Sequence, residues 1–296
     1  MSDSDHVYKD FRHVLDLPNE KRILFMEEDR WIGYGGAVRM LDRFQSMIDM
    51  PRRSRMPNAL LVADSNNGKT TIVDRLFRTL GKTSRTEEGE SVFPVIVAEA
   101  PSSASEKALY LAILHNFLDP HRTTDSTDKL HYQTLHLFRT CNVRMLVIDE
   151  FHNLTDGSPI KQRETLNGLR RLCNAAQVAI VGVGTRKAVR VLARDDQYAS
   201  RFVTWSLPLW KPDREFQTLL NSFETFLPLR RPSKIASRDI ARRIHAASQG
   251  NLGYMHELLK RCATEAIQTG QEFIDEALVE RNTWRKNENG ILEHEA

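Results

Sequence analysis

The stretch "ALLVADSNNGKTTIVDRLFRTL", Ala59 to Leu80, decides how the chain is read. Five apolar residues run into a polar loop, and the loop leads straight into a segment whose apolar positions recur with helical period. The loop itself, "ADSNNGKTT" from Ala63 to Thr71, closes on Gly-Lys-Thr, the end of the phosphate-loop pattern G-x-x-x-x-G-K-[ST]. Ala63 stands where the first glycine of that pattern belongs. It adds one methyl at the strand end, whereas Gly68 falls beside the phosphates, where a Cβ would collide, so the departure is tolerable. Backbone N–H groups and the positive end of the following helix would hold phosphates, Lys69 would neutralise them, and the Thr70 hydroxyl would take Mg2+. Asp64, Ser65, Asn66, Asn67 and Thr71 complete the loop, and asparagine tolerates the left-handed backbone it requires.

A second segment, "MLVIDEFHNL" from Met145 to Leu154, is an apolar strand ending in two adjacent carboxylates. Alone, an Asp-Glu pair after a strand reads as a solvated loop. Downstream of a phosphate loop in a strand–helix alternation it reads as the other half of an Mg-ATP site. Asp149 would orient the metal and its waters, and Glu150 would polarise the attacking water.

Apolar runs at 59–63, 93–98, 145–148, 178–183 and 202–207 are short, rich in Val and Ile, and not alternating, as strands buried on both faces are. Helical patterns at 69–80, 106–118, 129–141, 159–176 and 186–194 lie between them. The alternation predicts a parallel sheet with helices on both faces. After Pro212 the pattern is helical alone, at 213–227, 237–249, 254–269 and 272–285. The expected division is therefore an N-terminal extension (1–28), an α/β nucleotide-binding domain (29–211), an all-helical lid (212–286) and a tail (287–296). Residues 82–90 read as a charged connection.

The 296 residues are 41% hydrophobic, enough for a real core, and the net charge of +3 is too weak to argue for nucleic acid by itself. Cys141, Cys173 and Cys262 are far apart, so neither a zinc site nor a disulfide framework is indicated. No signal peptide or long apolar run is present, and a soluble, cytoplasmic protein is expected.

On these motifs the chain resembles the AAA+ ATPases, and within them the TniB/TnsC family of transposition regulators, over most of its length. "DRWIGYGGAVRML" (Asp29 to Leu41) is similar to the family's segment along the adenine, which implies that role for Trp31, Ile32, Gly33 and Tyr34. "VAIVGVGT" (Val178 to Thr185) matches the strand carrying the γ-phosphate sensor; Thr185 fits that role or a helix cap. "YASRFVTW" (Tyr198 to Trp205) is similar to the arginine-finger stretch, implying that Arg201 reaches a neighbouring subunit's nucleotide, with Arg194 the fallback. "SQGNLGYMHELL" (Ser248 to Leu259) resembles the second sensor region, but Gly253 stands where many relatives carry arginine.

The resemblance implies an ATPase using ATP and Mg2+ that forms rings or filaments on double-stranded DNA, without base readout, and works with a transposase and a TniQ-like targeting protein. A nucleotide-gated scaffold and a helicase-loader or signalling ATPase are the alternatives. "APSSASEK" (Ala100 to Lys107) and "DGSPIKQR" (Asp156 to Arg163) are the loops expected to track DNA phosphates, through Lys107, Lys161 and Arg163. The basic stretch Pro228 to Arg243 fits either a solvated lid surface or a DNA contact.

Overall fold

The computed structural model describes residues 5–117, 120–192, 201–286 and 292–293. The chain divides into two units, one formed by Gly35–Pro208 and the other by Met1–Tyr34 together with Leu209–Ala296.

In the first unit the non-alternating apolar runs become β1 (Asn58–Ala63), β4 (Val95–Glu99), β5 (Met145–Asp149), β6 (Ala179–Gly184) and β7 (Phe202–Leu207), after the two-residue strands β2 (Ser84–Arg85) and β3 (Ser91–Val92). The five longer strands form one sheet in the order β4-β5-β6-β1-β7, with every neighbouring pair parallel. Residues 59–63 and all of β6 are buried, as a central strand covered on both faces requires. Strand β7 lies at an edge and is mostly open, with Val203 60% exposed. The main core gathers Leu60, Ile96, Leu146, Ile148 and Ile180 of the sheet with Leu109, Phe138 and Leu169 of the covering helices.

Residues 82–90 depart from the expected connection, because β2 and β3 pair antiparallel there through a turn in which Thr86 N–H donates to Glu90 O at 2.9 Å. Two pairs of residues are too short to leave a period in the sequence. The helix Gly35–Asp49, which precedes β1, buries Ala37, Met40, Phe44 and Met47 on one stripe.

The second unit is helical, with Arg214–Glu224, Arg238–Ser248, Leu252–Thr269 and Glu276–Asn282 around a core that includes Leu220, Ile244, Met255, Leu259 and Leu278. Residues before Gly35 belong to it. The helix Asn19–Glu27 brings Met26 into that core, and Tyr8 N–H donates to Thr225 O at 2.9 Å. Arg22 is fully buried and donates to both oxygens of Glu272, at 2.8 and 2.5 Å, and to Pro228 O. Glu272 also accepts from Arg230, and its carboxyl is held below the ordinary range by Arg22 and Arg230 against the opposing effect of burial. Removing Arg22 leaves Glu272 to Arg230 alone and Pro228 O without its buried donor, so Arg22→Ala is expected to destabilise this unit by about 3 kcal/mol, the lower end for breaking a buried pair. Thermal unfolding checks this; a melting temperature unchanged from the parent would contradict it. A short ribbon pairs Arg285–Lys286 with Leu292–Glu293. No helix among the described residues is long and apolar enough to cross a membrane.

Candidate functional site

Because all five strands run the same way, β1, β6, β5 and β4 end at one edge of the sheet, where the loops carrying Lys69, Thr185, Asp149 and Glu99 emerge. Such an edge is where open α/β sheets bind ligands.

The β1 loop turns into its helix through left-handed backbone at Asn66 (φ 58°) and Gly68 (φ 79°). A Cβ-bearing residue is strained at the second of these. The helix starts at Lys69, and Thr70 and Thr71 are exposed on its first turn. Lys69 is only 7% exposed, and its ammonium donates to the carbonyls of Ala63 (3.2 Å) and Asp64 (2.8 Å). Burial draws its pKa below the ordinary lysine value, while Glu150, Asp149 and Asp64 oppose that shift. Asn67 is buried, and its side chain donates to Leu207 O at 3.1 Å, tying the loop to the end of β7. Ser65 is exposed, and Asp64 lies 3.7 Å from Arg186.

Asp149 ends β5. Its carboxylate accepts from Glu150 N–H at 2.8 Å, and burial raises its pKa despite that bond, helped by the charge of Glu150. Glu150 sits in left-handed backbone, φ 50°, and starts a short 3-10 turn, Phe151–Thr155. Its carboxylate reaches to 3.1 Å from His152 Nδ1, out of hydrogen-bond alignment. The turn is anchored by Phe151, which is fully buried over Gly182 of β6: a Cβ at Gly182 would meet the ring at 2.8 Å. The sequence carried this signal only as a glycine inside a β-branched run, and neither Gly182 nor His152 was among the expected site residues. Thr185 follows β6, and its hydroxyl is buried without a hydrogen-bond partner. It is therefore no helix cap, and a buried hydroxyl in that condition favours a ligand.

The loops after β4 and β5 lie side by side, with Ala104 N–H donating to Asp156 O at 2.8 Å. Ser105 caps the helix Glu106–Leu114 and Ser158 caps Pro159–Ala176. The expected loop cations lie instead in helices: Lys161 and Arg163, both exposed, and Ile160, 70% exposed, open Pro159–Ala176, and the half-buried Lys107 opens Glu106–Leu114, because Ser158 and Ser105 cap the helices just before them. Under them Glu106 accepts from Tyr110 (2.7 Å) and Arg171 (2.8 Å), joining the two helices.

Arg201 directly precedes β7, whose Phe202 is in register with Asn58 and Leu207 with Ala63. It stands at the opposite edge from the β1 loop, five strand residues or about 17 Å away. Arg194 lies outside the described residues.

Ile32, Gly33, Tyr34 and Gly253 belong to the helical unit. Trp31, Ile32 and Gly33 line a cavity of about 420 Å3 with Thr218, Ser222 and Phe226. Tyr34 packs edge-on against Trp210 at 5.2 Å instead, and burial pushes its hydroxyl pKa up to about 12. Gly253 lies in the first turn of Leu252–Thr269, its N–H donating to Asn251 Oδ1 at 3.1 Å.

Several solved structures share this fold. The Aeropyrum pernix ORC2 protein in its ADPNP–ADP complexes superposes with a TM-score of 0.58 at 15% identity, over 88% of this chain and 70% of its own. The Aeropyrum pernix ORC1 protein in complex with DNA gives 0.59 at 16%, over 88% and 68%. A single-residue variant of Thermotoga maritima RuvB gives 0.54 at 16%, over 90% and 76%. No curated protein matches the sequence. The fold is that of the AAA+ ATPases, a parallel sheet flanked by helices with a helical C-terminal region. The sequence model of the family described as "Bacterial TniB protein" matches residues 22–212, and the chain belongs to the TniB family.

Proposed function

We propose that this TniB-family protein is an Mg-dependent ATPase that assembles on duplex DNA and there recruits or activates a transposase, together with a TniQ-like targeting protein. The observation that carries the ATPase reading is the meeting, at one sheet edge, of the Lys69 loop, the Asp149–Glu150 pair and the unpartnered Thr185 hydroxyl. Those groups fit a magnesium-bound triphosphate: a buried cation beside open backbone, a carboxylate at a strand end, and an orphaned donor. Mg-ATP, when bound, supplies an activated phosphoanhydride.

The chain's residues then position and stabilise charge. Lys69 exchanges its two carbonyl partners for phosphate oxygens, Thr70 and Asp149 hold the metal, Thr185 donates toward the γ-phosphate, and Glu150 orients water. Asp64, Ser65, Asn66, Gly68 and Thr71 enclose the phosphates, while Asn67 braces the loop through β7. Ile32 and Gly33 flank the base. Tyr34 supports them from its contact with Trp210, and Gly253 opens the second sensor helix. Arg201 serves the neighbour's site rather than its own, since it lies at the far edge of its own sheet.

DNA binding is supported by the juxtaposed loops after β4 and β5 and the helix starts they lead into, where the exposed Lys161 and Arg163 and the half-buried Lys107 suit phosphates rather than base edges. The ORC2 and ORC1 neighbours, solved with ADPNP–ADP and with DNA, make both ligands reasonable for this chain.

Glu150→Gln keeps the shape but removes the charge that polarises water. It is expected to bind ATP as the parent does and to hydrolyse it about 10²-fold more slowly. Electron microscopy with ATP and duplex DNA should then show longer-lived assemblies. Parental turnover in the variant would remove Glu150 from this role, and DNA-independent turnover without assembly in the parent would sink the DNA reading.

A further inference from the structure

The described arginine side chains of the helical unit sort sharply by partner. Arg12, Arg22, Arg30, Arg230, Arg243 and Arg281 each pair with a carboxylate, and Arg231 and Arg261 lie over the rings of Phe273 and Trp284. The basic stretch Pro228 to Arg243 is thereby divided, because Arg230, Arg231 and Arg243 are engaged within the fold. Arg238 and Arg242 are not. Together with Arg214 they are exposed and have no hydrogen-bond or ion-pair partner among the described residues.

These three unpartnered arginines surround one concavity. Arg238 and Arg242 stand four residues apart on the helix Arg238–Ser248 and so share a face. Arg214 opens the helix Arg214–Glu224, and all three line a cavity of about 310 Å3 with Asp213 and Gln217. Among the described residues Asp213 is the only carboxylate in its wall, and its oxygen is committed to Phe216 N–H at 3.1 Å. The cavity therefore presents three guanidinium groups and the positive end of an eleven-residue helix to a single capped acid. Like charges gathered in this way disfavour the fold unless an anion offsets them.

We infer that Arg214, Arg238 and Arg242 form a pocket for a phosphate oxyanion, and that its occupant is a backbone phosphate of duplex DNA, a contact additional to the loops of the α/β unit. The inference rests on the DNA-binding reading above. Guanidinium forks match phosphate oxygens two at a time. An acidic polypeptide would match the charge too, but protein partners are held by apolar anchors in pockets. Here the apolar wall residues Phe216 and Ala241 are already buried, at 1% and 5% exposure, within the unit's own core.

The test measures affinity of the full chain for a labelled duplex over a salt series, in the parent, in Arg214→Gln/Arg238→Gln/Arg242→Gln, in the three single variants, and in Lys161→Gln/Arg163→Gln. Releasing one DNA phosphate from its arginines makes the plot of log K against log salt shallower by about 1 and weakens binding alike for unrelated duplexes. That result is expected for the triple variant, with the single variants between it and the parent; thermal melting checks folding, and the single variants decide if the triple one unfolds. A parental slope in the arginine variants, with a shallower slope in the Lys161/Arg163 pair, overturns this pocket and leaves the loop reading standing. A parental slope accompanied by failure to bind poly-glutamate would assign the cavity to an acidic polypeptide. If phosphate-induced stabilisation disappears instead, the occupant is free phosphate; both results overturn the DNA assignment. A parent with no salt-dependent affinity for DNA overturns both readings.

Discussion

Lys69→Ala is expected to weaken ATP binding by about 10²- to 10³-fold, the loss that follows when one member of a desolvated, charge-assisted pair is truncated. The reason lies in its burial. At 7% exposure the residue is largely withdrawn from water, and its pKa is lowered by that burial. A group in this condition, held by two carbonyls, gains more from phosphate oxygens than an exposed lysine does. Calorimetric titration of ATP measures the effect. Parental affinity would remove Lys69 from the site. The substitution also deprives the Ala63 and Asp64 carbonyls of a donor, so melting without nucleotide should be recorded alongside.

The second large effect is expected at Arg201. Its removal should leave ATP binding by the monomer close to parental, while DNA-bound assemblies hydrolyse about 10³-fold more slowly, the lower range for loss of an arginine finger. The strand register supports a role in trans, because Phe202 pairs with Asn58 at the sheet edge opposite the phosphate loop. No side chain spans about 17 Å from there to the end of β1. Mixing Arg201→Ala with Lys69→Ala subunits provides the discriminating measurement. An interface that joins an intact loop to an intact Arg201 should recover part of the ATPase activity, provided Lys69→Ala subunits are incorporated. Parental hydrolysis by Arg201→Ala alone would locate the trans-acting arginine elsewhere.

The parts of this molecule legible in its sequence are those written locally. Strands buried on both faces must be runs of Val, Ile and Leu, so β1, β5 and β6 show as such. The Gly68-Lys69 turn and the Asp149-Glu150 pair are local too, since neighbouring residues make the turn and the strand end. What escaped is written across distance. Arg22 and Glu272 are separated by 250 positions, and nothing near either residue announces the pair. Gly182 makes sense only beside Phe151, a neighbour across the sheet edge. The basic stretch after Pro228 looks uniform as letters, and only the positions of Glu272, Phe273, Glu276 and Glu280 divide its engaged arginines from Arg238 and Arg242.

That the helical unit draws on residues on both sides of the sheet-bearing unit fixes an order of events on the ribosome. Glu272 and Pro228, which hold Arg22, and Thr225, which accepts from Tyr8 N–H, all lie beyond Leu209, so the early helix emerges with only the 3-10 segment Lys9–Asp16 beside it, where Phe11 meets Phe25 edge-on. At about 5–20 residues per second, roughly 10–35 s of elongation separate its appearance from that of the first residues able to receive it. By the end of that interval Gly35–Pro208 has all five strands of its sheet, Phe202–Leu207 last, and can close before the helices after Leu209 are complete. Met26 meanwhile stands outside any finished core, since Phe216, Leu220, Met255 and the rest of the cluster that buries it follow Leu209.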